Sequence, residues 1–361
     1  MARIHNFSAG PSLLPESVIR EAQEALWELN GSGIGLCGSS HRWPLFESVL
    51  ASAKARMAKL LALADDQQVL FLQGGAQTQF FQVPMNLLRG GRATYLDTGR
   101  WSTGAAAEAR RFGTVDVPFS GQDAGYNHVP APNSWGPLPA GTKYLHYTSN
   151  NTVAGTQFDY VPDSGDAWLI CDMSSDICSR PIDGSQFDLI YGGAQKNLGP
   201  SGVTVVILRR GLLEHCDPEL PTMMRYGVQV TKDSMHNTPN TFGIFIVDRM
   251  CAWIEAQGGL AAIDARNRVQ AGKIYAAIDA SDFWSGRTQA QSRSLMNVAW
   301  TTGDAELDTL FWQSAEAKAQ LKGLKGHKAM GGLRATIYNA QRDESVDTLV
   351  EYMAEFARTH G

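Results

Sequence analysis

Apolar positions along the chain follow two different periods. After Pro15, residues Val18, Ile19, Ala22, Ala25, Leu26 and Leu29 recur at helical spacing until Asn30-Gly31, which predicts a helix with a defined start and stop. Pro44 opens a second helix, in which Phe46, Val49, Leu50, Ala53, Met57, Leu60 and Leu61 form one stripe. Strand-length apolar runs then appear at Val69–Leu72, Ala93–Asp97, Tyr144–Tyr147, Trp168–Asp172, Leu189–Gly192 and Val203–Leu208. Between the first two, Phe80, Phe81, Val83, Leu87 and Leu88 predict a helix in spite of Pro84, and after the second Trp101 begins an alanine-rich helix. This alternation predicts an α/β fold with a mostly parallel sheet flanked by helices, because parallel neighbours need helical crossovers that cover both faces.

From Thr241 the pattern turns helical, through Ile244, Ile246, Val247, Met250, Trp253 and Ile254 and again from Leu260 to Ile278. Beyond it, strands (Leu295–Trp300, Leu333–Tyr338) alternate with helices (Glu306–Leu321, Ser345–His360), as in a small α+β domain. The expected organisation is a large domain over residues 16–258, a smaller C-terminal domain over 259–361, and residues 1–15 as an arm docking on the small domain. Gly31–Arg42 and the proline-rich Gly121–Pro139 are read as loops.

A hydrophobic fraction of 43% in 361 residues suffices for a large core and excludes disorder of the whole. The net charge of −5, without any basic run, argues against nucleic-acid binding. Five cysteines without a CxxC pair suit a reducing compartment, so neither disulfides nor zinc are expected. No stretch approaches the ~20 apolar residues of a membrane span, and the first residues lack an apolar leader. A cytoplasmic protein is expected.

The candidate chemistry centres on Gly192-Gly193-Ala194-Gln195-Lys196-Asn197, where a lysine stands among glycines at the end of a buried run. By itself such a lysine is more often a solvated group at a strand end, since lysine is mostly exposed. Upstream, the run Ala167–Cys171 ends in Asp172-Met173-Ser174-Ser175, which places a carboxylate at the C-terminal edge of a strand, where ligands of open α/β sheets bind. An amine able to form a Schiff base and a carboxylate able to face a ring nitrogen are together what pyridoxal phosphate (PLP) requires. Gly74-Gly75-Ala76-Gln77-Thr78, between a strand and a helix, reads either as an anion cradle or as a plain tight turn.

These motifs, with Ser39-Ser40-His41-Arg42, Leu72–Ala76, Trp101-Ser102, Asn237-Thr238-Pro239 and Gly331–Ala335 in the same order, resemble the phosphoserine aminotransferase family of PLP-dependent fold type I enzymes over essentially the whole chain. The resemblance implies that Lys196 is the Schiff-base lysine and Asp172 the partner of the pyridinium nitrogen. It places Trp101 on the cofactor ring and Thr152 on its phenolic oxygen. Ala76, Gln77, Gln195, Asn237 and Thr238 are implied around the cofactor phosphate, the last two from across a homodimer interface with shared active sites. Arg334 is implied to grip the α-carboxylate, with His41, Arg42, His327 and Lys328 around the substrate's phosphate or side-chain carboxylate. The chain departs from the family in three places: Asn151 replaces a common glutamate, Lys328 a usual arginine, and Gln77 an arginine of some bacterial members. The small-molecule substrates implied are phosphoserine, glutamate and their 2-oxo acids.

Two other fold type I activities fit parts of the chain. A lyase or desulfurase would want a catalytic cysteine on a mobile loop, and Cys37 lies on one, but beside His41 and Arg42. A small-amino-acid aminotransferase would keep Lys196 and Asp172 without the distal cations. A PLP-binding regulatory module would need a fused nucleic-acid-binding domain, for which the length leaves no room.

Overall fold

The computed structural model describes residues 3–361, so Met1 and Ala2 of the expected arm lie outside the described residues. A seven-stranded sheet forms the centre, in the spatial order Gln67–Gly74, Gly202–Arg209, Leu189–Gly193, Trp168–Asp172, Thr142–Thr148, Arg92–Asp97, Thr114–Ser120. Side chains alternate between two cores. Leu145, Leu169, Cys171 and Ile190 face one, against the helices Glu16–Trp27, Pro44–Leu60 and Thr241–Ala256, while Tyr144, Ile170, Leu189 and Tyr191 face the other, against Ala76–Leu87 and Arg100–Ala109. A one-residue slip would exchange these faces, and with ~1.5–3 kcal/mol for each large apolar side chain buried, the two cores together fix the register.

One strand runs against the parallel expectation. Gly202–Arg209 is antiparallel to both of its neighbours. The reason is the short connection, residues 194–201, since a parallel return needs a crossover of a dozen or more residues. The sheet also gains the edge strand Thr114–Ser120, whose residues are only partly buried and therefore lack a continuous apolar run. A short helix, Tyr226–Thr231, is likewise absent from the apolar pattern.

A second, three-stranded sheet (Ser285–Gly286, Asn297–Thr301, Leu333–Thr336) packs with Ala305–Ala319 and Asp343–His360 around Trp300, Phe311 and Met353. The core that holds Leu145 and Ile190 and the core of this second sheet, the large and the small core from here on, meet along the helix Gly259–Asp279: Leu260 and Ile263 belong to the large one, Ala271, Ile274 and Ile278 to the small one. The N-terminal residues bridge the same division. His5–Asn6 pairs in parallel with Leu321–Lys322, Phe7 is fully buried in the small core, and Ser12 N donates to the Gln195 carbonyl at 3.0 Å. Among the described residues, no helix is long and apolar enough to cross a membrane.

Candidate active site

Parallel strands carry their C-terminal ends to one edge, so Asp97, Thr148, Asp172 and Gly193 arrive together. A cavity of about 470 Å³ opens there, lined by residues that include Gly75, Ala76, Gln77, Trp101, Thr152, Asp172, Gln195, Lys196, His327 and Arg334. Of the residues singled out in the sequence, these reach one space within a single chain. His41, Arg42, Lys328, Asn237 and Thr238 do not line it; the last four are exposed.

Lys196 stands on a tight turn closed by Leu198 N and Gly199 N, both donating to the Ala194 carbonyl at 3.0 and 2.7 Å. Its own carbonyl accepts from the Ser12 hydroxyl, which ties the arm to the catalytic loop. The side chain is aimed by Thr152, whose hydroxyl accepts from Lys196 Nζ at 3.0 Å, and the amine lies 5.7 Å from the centre of the Trp101 ring. Burial lowers the Lys196 pKa to about 8, with Arg334 pushing the same way and the carboxylates of Asp172 and Asp176 opposing. The amine is thereby brought toward the range in which its neutral, nucleophilic form is populated.

Asp172 is buried, and burial pushes its pKa up, while hydrogen bonds from Ser174 and the nearby Lys196 pull it back. One carboxylate oxygen, Oδ1, accepts from Ser174 N at 2.9 Å and Ser174 Oγ at 2.6 Å. Among the described residues the other takes no hydrogen bond, which leaves it for a ligand. Trp101 is placed by the helix start beneath it: Ser102 and Thr103 donate to Asp97 Oδ1 at 3.1 and 2.7 Å. Gly193 lets Gln195 fold back on the loop, since a Cβ there would sit 2.4 Å from Gln195 Oε1.

Arg334, also in the cavity wall, is half-buried on the strand Leu333–Thr336. Its Nη1 donates to the Thr152 carbonyl at 3.3 Å, but its buried Nε has no partner. Burial of a guanidinium edge without an acceptor asks for an anionic ligand. His327 closes the same side, with Nδ1 accepting from Ala329 N at 3.1 Å.

The residues present fit pyridoxal phosphate. A basic amine of lowered pKa, a carboxylate with a free oxygen, an indole beside them and the first-turn N–H groups of the helix Ala76–Leu87 supply a site for each of its parts. The Thr148 hydroxyl, buried, unpartnered and in the cavity wall, is one polar group more awaiting a ligand.

The profile of the aminotransferase class-V family matches residues 4–349. A phosphoserine aminotransferase of Pseudomonas aeruginosa is 45% identical over 360 residues, 99% of each chain. The chain belongs to the phosphoserine aminotransferase family of class-V aminotransferases. Among solved structures, a phosphoserine aminotransferase of Bacillus circulans subsp. alkalophilus superposes with a TM-score of 0.97 at 44% identity, covering 99% of both chains. A PLP-bound phosphoserine aminotransferase from Trichomonas vaginalis gives 0.92 at 36% identity, covering 98% of this chain and all of that one. The fold is thus that of the fold type I transaminases, the cofactor is pyridoxal phosphate, and the chain is a PLP-dependent aminotransferase.

Several cavity residues carry no sequence-level role. Ser174 anchors Asp172, and its signal was present, because Asp-x-Ser is a local side-chain to backbone turn motif. Thr148 and the segment Ala9–Pro11 line the wall without a signal of their own, the latter because only the fold brings the N-terminus to Lys196.

Proposed function

We propose that this aminotransferase moves the amino group between L-glutamate and 3-phosphohydroxypyruvate, giving O-phospho-L-serine and 2-oxoglutarate in a ping-pong cycle of serine biosynthesis. The same reading includes amination of a phosphorylated four-carbon 2-oxo acid to 4-phosphohydroxy-L-threonine on the route to pyridoxine. The observation that carries it is the likeness to phosphoserine aminotransferases at 45% identity across 99% of both chains. The cavity chemistry supports it, with the Arg334 guanidinium and the His327 imidazole in the same wall as Lys196 and Asp172.

Pyridoxal phosphate supplies an electron-withdrawing ring that accepts charge from the substrate's α-carbon. Lys196 Nζ would take the α-proton as general base and, as general acid, hand it to a carbon other than the one it left, a double role suited to a pKa lowered toward neutrality. Asp172, held by Ser174 through one oxygen, keeps the other for a protonated ring nitrogen. Trp101, beside the Lys196 amine, would cover the ring and keep water from it. Arg334 grips the substrate α-carboxylate with its planar fork.

The working unit in this reading is a cytoplasmic homodimer with shared sites. Asn237 and Thr238, exposed and outside their own chain's cavity, would complete the cofactor-phosphate site of a second copy. The exposed Leu26, Trp27 and Trp43 supply apolar surface for such an interface, and the free thiols suit a reducing compartment. The domain division at 258/259, the arm and the remaining site roles, including those of His41, Arg42, Gln77 and Lys328, belong to the same proposal.

Steady-state rates with phosphoserine, serine and alanine as donors to 2-oxoglutarate test the substrate. Phosphoserine is expected to exceed alanine in kcat/KM by about 30-fold or more, the ratio that ~2 kcal/mol of desolvated charge pairing produces. Equal values for the two donors would overturn the reading.

A further inference from the structure

Arg100 opens the helix Arg100–Ala109, directly before Trp101. It is exposed, and its guanidinium carbon lies 5.7 Å from the centre of the Trp101 ring. Among the described residues its side chain makes no ion pair or hydrogen bond, and the Trp101 ring is its one recorded contact. Nor does it serve the helix: a cation in the first turn adds to the positive end of the macrodipole, and stabilising charges there are acidic. An arginine at this position therefore costs a little stability.

Its charge is felt inside the cavity. The imidazole of His327, a wall residue, is held below its usual pKa first by burial and then by three cations, Arg100, Arg334 and Lys328 in that order, with no carboxylate opposing them. In a chain whose net charge is −5, this is a local concentration of positive charge. Arg334, anchored on the Thr152 carbonyl, is committed to one end of an amino-acid substrate. A dicarboxylate or a phosphorylated amino acid carries a second anionic group several bonds away, and needs a second cation.

We propose that Arg100 is a specificity-determining residue, which attracts the distal anionic group of the substrate, phosphate or side-chain carboxylate, at the mouth of the cavity between Trp101 and His327. The proposal rests on the aminotransferase reading of this site and deepens it. Because Arg100 is exposed, its contribution is long-range steering and loose pairing at a rim, which acts on capture of substrate and is screened by salt.

The experiment uses the PLP-loaded enzyme as wild type, Arg100→Gln and Arg100→Lys. kcat/KM is measured for phosphoserine, glutamate and alanine as donors at low and high ionic strength. For Arg100→Gln, a loss of roughly 3- to 10-fold is expected at low salt for phosphoserine and glutamate, carried by KM, with alanine unchanged. The gap should narrow at high salt, and Arg100→Lys should retain most of the wild-type value. An equal loss for all three donors, insensitive to salt, would mean that Arg100 supports the Trp101 ring or the fold, and overturns the proposal. No loss for either anionic donor overturns it too. A wild type that favours glutamate but not phosphoserine over alanine would defeat the phosphorylated substrate alone, and the glutamate arm would still decide the role of Arg100.

Discussion

Lys196 Nζ donates to the Thr152 hydroxyl at 3.0 Å, and the Thr152 carbonyl in turn accepts from Arg334 at 3.3 Å. One buried residue thus spaces the amine proposed to move protons from the cation proposed to grip carboxylate. Thr152→Val removes the first contact and keeps the second. A hydrogen bond to a charged group contributes ~1.5–3 kcal/mol, so kcat should fall by about 10-fold or more, while Thr152→Ser should stay near wild type. A valine variant with unchanged kcat would show that Lys196 is aimed by something else.

The lowered pKa of Lys196 predicts how the cofactor-free chain takes up pyridoxal phosphate. The neutral amine is the nucleophile, and burial shifts the balance toward it, so the rate of covalent capture should rise with pH through a midpoint near 8 rather than near the usual lysine value. The Asp172 carboxylate opposes that shift, so Asp172→Asn should move the midpoint down. Reductive trapping with borohydride at a series of pH values reads both, and Lys196→Ala serves as the blank. A midpoint that stays at the ordinary lysine value would remove the argument for a tuned amine.

Much of this site could be read from the chain because its chemistry sits on local motifs. The strand ending in Asp172, the glycines before Lys196 and the strand–turn–helix at Gly74–Thr78 are short in sequence and lie at one sheet edge for the topological reason anticipated. What could not be read depends on distant contacts. Gly202–Arg209 has the apolar run of any buried strand, and only the short connection from Gly193 reveals its direction. Thr114–Ser120 escaped because an edge strand buries too little to need an apolar run. Ala9–Pro11 reach Lys196 through long-range contacts alone, the pairing of His5–Asn6 with Leu321–Lys322 on one side and the bonds of Ser12 to the Gln195 and Lys196 carbonyls on the other.

Gly155 offers a test of how the large and small cores are joined. It has φ +79°, its carbonyl accepts from Ser294 N at 2.9 Å, and a Cβ there would lie 2.9 Å from the Asn297 carbonyl oxygen. Gly155→Ala therefore adds left-handed strain of ~1–2 kcal/mol to overpacking of ~1–3 kcal/mol against backbone that cannot turn away. The melting temperature should drop by roughly 3 °C or more. A melting curve superimposable on the wild type would show that the joint is looser than its geometry implies.

The placement of Thr238 carries the last prediction. Its carbonyl accepts from Gln73 Nε2 at 2.5 Å, beside Gly74 at the rim, yet its side chain is exposed and Thr238 stays outside the cavity that holds Lys196. Two arrangements would give it a cofactor role: movement within its own chain, or use by a second copy. They differ in genetics. If sites are shared, Lys196→Ala chains mixed with chains carrying Thr238→Asp form heterodimers in which one site collects both lesions and the other collects neither. Each parent homodimer should be inactive or strongly impaired, since the aspartate repels the cofactor phosphate, and activity should return after subunit exchange to at most about a quarter of the wild-type level, given random pairing. If Thr238 served its own chain, every site in the mixture would keep one lesion. Heterodimers demonstrated by mass and still inactive would therefore refute the shared site, and the dimer would lose its catalytic reason.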